Sequence, residues 1–300
     1  MHLVVTDSEL KNNLENGLDL LDSQGRYEVV RSHVTGNTRA GVRNWHDVNT
    51  CRRSENVTSL VVRDSTFARN GEHAVFFTHE CSVLLHVENS LVTESPNGLF
   101  LDVDLPFYYN NYTTVAVRNT TFTQITNTSI DVSGDDSFEM YVTDNHLHDN
   151  TGQLIRVLID EARYQSILKI IVHFLRNVVE SNSAVTNLVE FNCDNSDDQE
   201  REFIFANNTF QNNRLPQDVD PYFLSVVGIR QAVLAIRLGA NGRLENNIFD
   251  NPGAPFELGS FDSNYRITHN ARGNYWNVDD VTAISNRIYA SNQFFPAEEI

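Results

Sequence analysis

The stretch FANNTFQNNRL, residues 205–215, sets one large apolar side chain between pairs of asparagines. The arrangement returns as LENNIFDNP from residue 244 and, with serine in place of asparagine, as SLVVRDSTFARNG from residue 59. Working outward, a small polar residue in this local pattern stands at Ser8, Ser32, Ser65, Asn89, Thr120, Asn145, Asn177, Asn208, Asn247 and Asn274. Two places after each comes an apolar partner: Leu10, Val34, Phe67, Leu91, Phe122, Leu147, Val179, Phe210, Phe249 and Trp276. Successive spacings are 24, 33, 24, 31, 25, 32, 31, 39 and 27 residues, a mean period of about 30.

A second asparagine follows the first mark by five places at Asn13, Asn37, Asn70, Asn150, Asn182 and Asn213. Short apolar runs come next: AVFF (74–77), GLFLDV (98–103), LIRVLI (154–159), NLVEF (187–191) and PYFLSVV (221–227). Their length and their β-branched or aromatic content read as strands. The Asn and Gly between them read as sharp corners, because both tolerate the left-handed conformation. A unit of this size, with two or three short strands and Asn corners, is one coil of a parallel β-helix. The expected fold is therefore all-β: a single-stranded, right-handed parallel β-helix of the pectin-lyase-like type. Ten coils at the strand spacing give a rod about 48 Å long. Handedness follows from the rarity of left-handed crossovers. In this reading Asn145, Asn177, Asn208, Asn247, Asn274 and Asn89 form a structural ladder, and Trp276 fills the stacked core at its end.

Residues 1–300 read as one continuous repeat domain, since no linker or low-complexity tract interrupts the pattern. Loops are expected where the spacing stretches, at NRLPQDVDP (213–221), DLPFYYNNY (104–112) and CDNSDDQERE (193–202). The formal net charge of −18, with Lys11 and Lys169 the only lysines, argues against nucleic acid or an anionic membrane as partner. It suits cations, a basic partner, or plain solubility. No run is long enough to span a membrane, and the first residues carry no secretory signal. With the pattern already running at Ser8, the chain reads as a fragment of something longer.

Cys51 and Cys81 fall at similar phases of adjacent coils, so a disulfide and two thiols are both open; Cys193 lies coils away. Glycosylation sequons stand at Asn56, Asn111, Asn119, Asn127 and Asn207. The aromatic cluster Phe107, Tyr108 and Tyr109 breaks the polar pattern of its loop and is a candidate partner surface, with packing under the loop as the alternative.

For chemistry, Asp135 and Asp136 in SGDD resemble the Gly-Asp-Asp of polygalacturonases, but that family's Asn-Thr-Asp, Gly-His-Gly and Arg-Ile-Lys are absent here. Carboxylates at Asp102 with Asp104, Asp194 with Asp197 and Asp198, Asp218 with Asp220, and Asp279 with Asp280 read as solvated loop charges before calcium ligands. His146 and His148 would face one side of a strand, with His173 one coil on, and read as a surface pair before a metal site. No catalytic residue, metal or cofactor is expected, calcium being the weak alternative. An enzyme would bring Asp102, Asp131, Asp135 and Asp160 to one groove; scattering around the rod would count against it.

The C-terminal passage is the most distinctive. LENNIFDNPGAPFEL (244–258), followed by ITHNARGNYWNVDDVTAISNRIY (267–289), resembles the end of a β-helix region in the bark beetle (Anakonda) family. Asn274, Tyr275, Trp276, Arg287 and Ile288 carry the likeness as structural residues; Asn277 stands where a Gly commonly follows the Trp. The resemblance implies a right-handed β-helix in the ectodomain of a single-pass cell-surface protein. It also implies a place at cell junctions, chiefly where three epithelial cells meet, and junctional or cell-surface proteins as partners. The rival expectation is a carbohydrate-active β-helix, either a polysaccharide lyase or hydrolase or a glycan-binding module.

Overall fold

The computed structural model describes residues 1–20, 25–45, 57–79, 82–103, 112–134, 137–159, 169–193, 200–215, 231–261 and 267–290. Three parallel sheets of 9, 9 and 10 strands run the length of the molecule, and successive coils contribute one strand to each sheet in turn, the last adding a strand to sheet 3 alone. The chain is a parallel β-helix. Sheet 1 holds strands such as Thr58–Arg63 and Lys169–Leu175, sheet 2 the three-residue strands such as Thr66–Ala68 and Thr209–Gln211, and sheet 3 strands such as His73–His79 and Gln153–Ile159. The runs at 74–77, 98–103, 154–159 and 187–191 all lie on sheet 3. PYFLSVV (221–227) lies outside the described residues, and its coil puts Ala232–Arg237 on that sheet.

Every corner between sheets 1 and 2 is two residues long. The first takes a positive φ, as Asp64 (51°), Asp144 (59°), Arg176 (55°) and Asn207 (58°) do. A non-glycine residue pays on the order of 1–3 kcal/mol for that conformation. The second points inward and offsets the strain with hydrogen bonds up the rod. Ser8, Ser32, Ser65, Ser90, Thr120, Asn145, Asn177, Asn208, Asn247 and Asn274 form one unbroken ladder, each backbone N–H donating to the side-chain oxygen of the next.

One rung differs from the expectation. Asn89 takes the left-handed position (φ 51°) and is exposed, while Ser90 is buried in the ladder. Its apolar partner is accordingly Val92, and Leu91 points outward. Two small polar residues followed by two apolar ones leave the phase undetermined by one place, and Ser90 wins because its hydroxyl completes the contact between Ser65 and Thr120.

A second ladder runs beside the first through Asn13, Asn37, Asn70 and Ser95, skips a side chain at Ile125, and resumes at Asn150, Asn182, Asn213 and Asn251. It ends on Glu257, whose carboxylate accepts from the Asn251 N–H at 2.8 Å and Nδ2 at 2.6 Å, and from Arg287 at 2.9 Å. Between the ladders the inward residues of sheet 2 stack as a column. Phe210 lies on Phe249 (5.1 Å, 3°) and Phe249 on Trp276 (4.8 Å, 14°). Past Asn274 a short helix, Val281–Ser285, N-capped by Asp280, buries Ile284 over this end, and Ile288–Ala290 closes sheet 3.

Candidate functional site

Alternation along sheet 3 turns half its side chains outward. Because adjacent coils are in register, these make two rows on the outer surface. One row runs Arg43, Phe76, Phe100, Asp131, Arg156, Glu190; the other runs Trp45, Thr78, Asp102, Ser133, Leu158, Asn192. Phe76 and Phe100 stack on each other (5.1 Å, 5°), with the His73 ring edge-on to both at 5.0 and 5.4 Å. The two phenyl faces are turned toward each other along the rod, so the stack offers little flat aromatic area to solvent. Arg43 lies over Trp45 at 5.2 Å.

The polar half of the face is paired coil to coil. Ser133 Oγ donates to Asp102 at 2.6 Å, Arg156 to Asp131 at 3.4 Å, and Gln153 Nε2 to Glu190 at 2.8 Å. Burial pushes the Asp131 carboxyl above its ordinary value and the neighbouring Asp102 charge adds to this, while Arg156 works the other way. Burial also lowers His73 below the usual imidazole value. Asp102 and Asp131 thus stand on neighbouring strands of one face rather than scattered; Asp135, Asp136 and Asp160 lie outside the described residues.

The other expected positions distribute as follows. Asn145, Asn177, Asn208 and Asn247 are buried rungs, and Asn274 and Trp276 close the ladder and the ring column. Sequon residues Asn119, Asn127 and Asn207 are exposed, and the Asn119 Nδ2 donates to Asn89 at 2.8 Å. Cys51, Cys81, Asn56, Asn111, Phe107, Tyr108, Tyr109, Asp104, Asp194, Asp197, Asp198, Asp218 and Asp220 lie outside the described residues. No disulfide forms among the described residues, where Cys193 is buried. His146 and His148 do share the outer face of sheet 2, with ring centroids 4.3 Å apart. His173 is instead on sheet 1, beside Tyr141 and Glu202. Asp280 serves as the helix cap. A cleft of about 950 Å³ runs along the corner between sheets 2 and 3, where Thr151, Ser183, Arg214 and Gly253 are joined by single parallel bridges.

The sheet 3 rows escape a reading of the sequence because AVFF and GLFLDV are nearly continuous apolar runs, which hide which Phe points out. The cue is the shared phase of Phe76 and Phe100 ahead of the next corner. Comparison of the chain with protein-family models, curated proteins and solved structures finds no match.

Proposed function

We propose that this chain is a non-catalytic β-helix scaffold, an adhesion segment in the ectodomain of a membrane-anchored cell-surface protein that helps organise cell junctions. The supporting observation is the pairing on the sheet 3 face. Asp102 with Ser133, Asp131 with Arg156, Glu190 with Gln153 and Phe76 with Phe100 tie one coil to the next, which suits a firm contact surface. The residues that carry the bark beetle likeness act as structural closures: Asn274 ends a ladder, Trp276 ends the ring column and Arg287 reaches Glu257. The working surface is the sheet 3 face with the segments that join sheet 3 to sheet 1, Phe107, Tyr108 and Tyr109 among them.

The test is a cell-aggregation assay with the chain displayed on a membrane anchor. Displaying cells should cluster or capture epithelial cells, and replacing Phe107, Tyr108 and Tyr109 by Ser should abolish this without lowering the melting temperature. Absence of capture by the unmodified chain sinks the proposal.

A second reading, a β-helix acting on or binding glycans, is favoured by Asp102 and Asp131 standing on neighbouring strands of one outer face, with burial raising the Asp131 carboxyl, since work on a glycosidic bond requires two carboxyl groups across the sugar. Incubation with acidic and neutral polysaccharides, with and without calcium, decides it. Cleavage or retention lost in Asp131→Asn would replace the scaffold reading.

A further inference from the structure

The outer face of sheet 2 carries a group of side chains that neither ladder nor sheet 3 uses. His146 and His148 flank the inward Leu147 and so project together. Glu180 stands beside His148 one coil on, yet its carboxylate leans back so that Oε1 is 2.7 Å from His146 Nε2. The other oxygen is held by Gln211 Nε2 at 2.6 Å. At the adjoining corner, Asp149 Oδ2 is 2.8 Å from His148 Nδ1, and Thr123 Oγ1 is 3.5 Å from the same nitrogen. Elsewhere on the rod carboxylates have arginine partners at Asp7, Asp144 and Glu245, a lysine at Glu9 and histidines at Glu88 and Glu202. Glu180 and Asp149 also have histidine partners, and here the two imidazole rings adjoin, with centroids 4.3 Å apart.

We propose that His146, His148 and Glu180 form a binding site for one divalent transition-metal ion, zinc foremost, with water completing the coordination. Two imidazoles and a carboxylate are a zinc donor set. The ion takes the place of the proton now shared between His146 Nε2 and Glu180. Asp149, by engaging His148 Nδ1, fixes the tautomer that leaves Nε2 of that ring to bind, the role a carboxylate plays behind a metal-bound histidine. As the side chains stand, no three such groups among the described residues surround a common ion position. Two ligands on tetrahedral zinc lie about 3.3 Å apart at bond lengths of about 2.0–2.1 Å. The 2.7 Å contact must therefore open by roughly 0.6 Å, which partly exposed side chains allow. The net charge of −18 raises the local concentration of any cation. A bound ion would staple the coil of His146 to that of Glu180.

The test is calorimetric titration of the whole chain with zinc, with the visible spectrum of cobalt(II) as a second readout. One ion per chain is expected, with proton release on binding. His146→Gln and His148→Gln should each weaken binding by at least about tenfold to a hundredfold, and Glu180→Gln by less. Urea midpoints of the metal-free variants, equal to that of the unmodified chain, exclude misfolding. Lack of binding by the unmodified chain overturns the proposal, as does equal affinity in the His146→Gln, His148→Gln double variant.

Discussion

The first ladder is built from two chemistries. From Ser8 to Thr120 its rungs are hydroxyls; from Asn145 to Asn274 they are amides. A hydroxyl rung accepts one N–H from the coil before and spends its own proton locally, on the carbonyl two residues back: Ser32 on Val30, Ser65 on Arg63, Ser90 on Glu88, Thr120 on Arg118. An amide rung reaches further. Asn177 Oδ1 accepts both the N–H and the Nδ2 of Asn145, and its own Nδ2 donates back to Val142 O and forward to Asn208 Oδ1. Each amide from Asn145 to Asn247 thus links three coils and each hydroxyl two. The rung contacts follow suit, at 3.1–3.5 Å between hydroxyl rungs and 2.8–3.0 Å between amide rungs. Cohesion between coils is therefore greater in the C-terminal half, and opening of the rod should begin at the N-terminal end.

Asn177→Ala should break this contrast most severely. It strands the buried N–H of Asn145, takes one of the two acceptors of Asn145 Nδ2 while leaving Val117 O, and removes the Nδ2 donor to Val142 O and Asn208 Oδ1, and should cost about 3–5 kcal/mol in urea unfolding. Glu257→Gln comes next, because it exchanges a two-oxygen acceptor for a mixed group facing the Asn251 donors, for a loss of about 1–3 kcal/mol at neutral pH. The pH response carries a sign. Burial raises Glu257 above its ordinary value of 4.5 against the pull of Asn251 and Arg287, so the folded chain holds this proton more tightly than the unfolded one. Its contribution is complete below 4.5 and declines as pH rises through the raised value. Melting curves across that window should slope downward with pH from this group, and the Gln variant should lack that component.

Ser65→Ala removes a single accepted contact, from Ser32 N–H, and should cost about 1 kcal/mol. A loss equal to that of Asn177→Ala would erase the distinction between hydroxyl and amide rungs. The gentlest test sharpens the comparison instead. Ile125→Asn restores the rung missing from the second ladder between Ser95 and Asn150, trading apolar burial for amide contacts, and should change stability by less than about 1 kcal/mol. Slower hydrogen exchange of the Ser95 amide would show that the rung had formed.

Much of this was legible in the chain because solenoid ladders repeat their chemistry at the same phase. NNxF announces a left-handed residue, an inward amide and a core ring in one phrase, so Asn208, Asn247 and Phe210 could be placed from sequence. The phase slipped where the chemistry blurred, at Asn89 and Ser90, since either can occupy either position. The closure by Glu257 was not readable, because Arg287 lies 30 residues further on and FELGS carries no sign that its Glu points inward. The sheet 3 face was hidden for the same reason in reverse, as an apolar run conceals its outward members. Only the backbone register showed that Phe76, Phe100 and Asp131 share a row.

The two-residue corner between sheets 1 and 2 has a consequence for how such a chain can diversify. Rungs on the first ladder are separated by as few as 24 and as many as 39 residues, yet this corner never changes length. All the variation is absorbed at the other two corners. A one-residue insertion at the invariant corner would turn that coil's rung and its sheet 2 strand out of line, whereas genetic insertions beside sheet 3 leave the stack untouched. The molecule thus separates inheritance into a column that tolerates almost no change of length and a margin where new sequence can be added and selected freely.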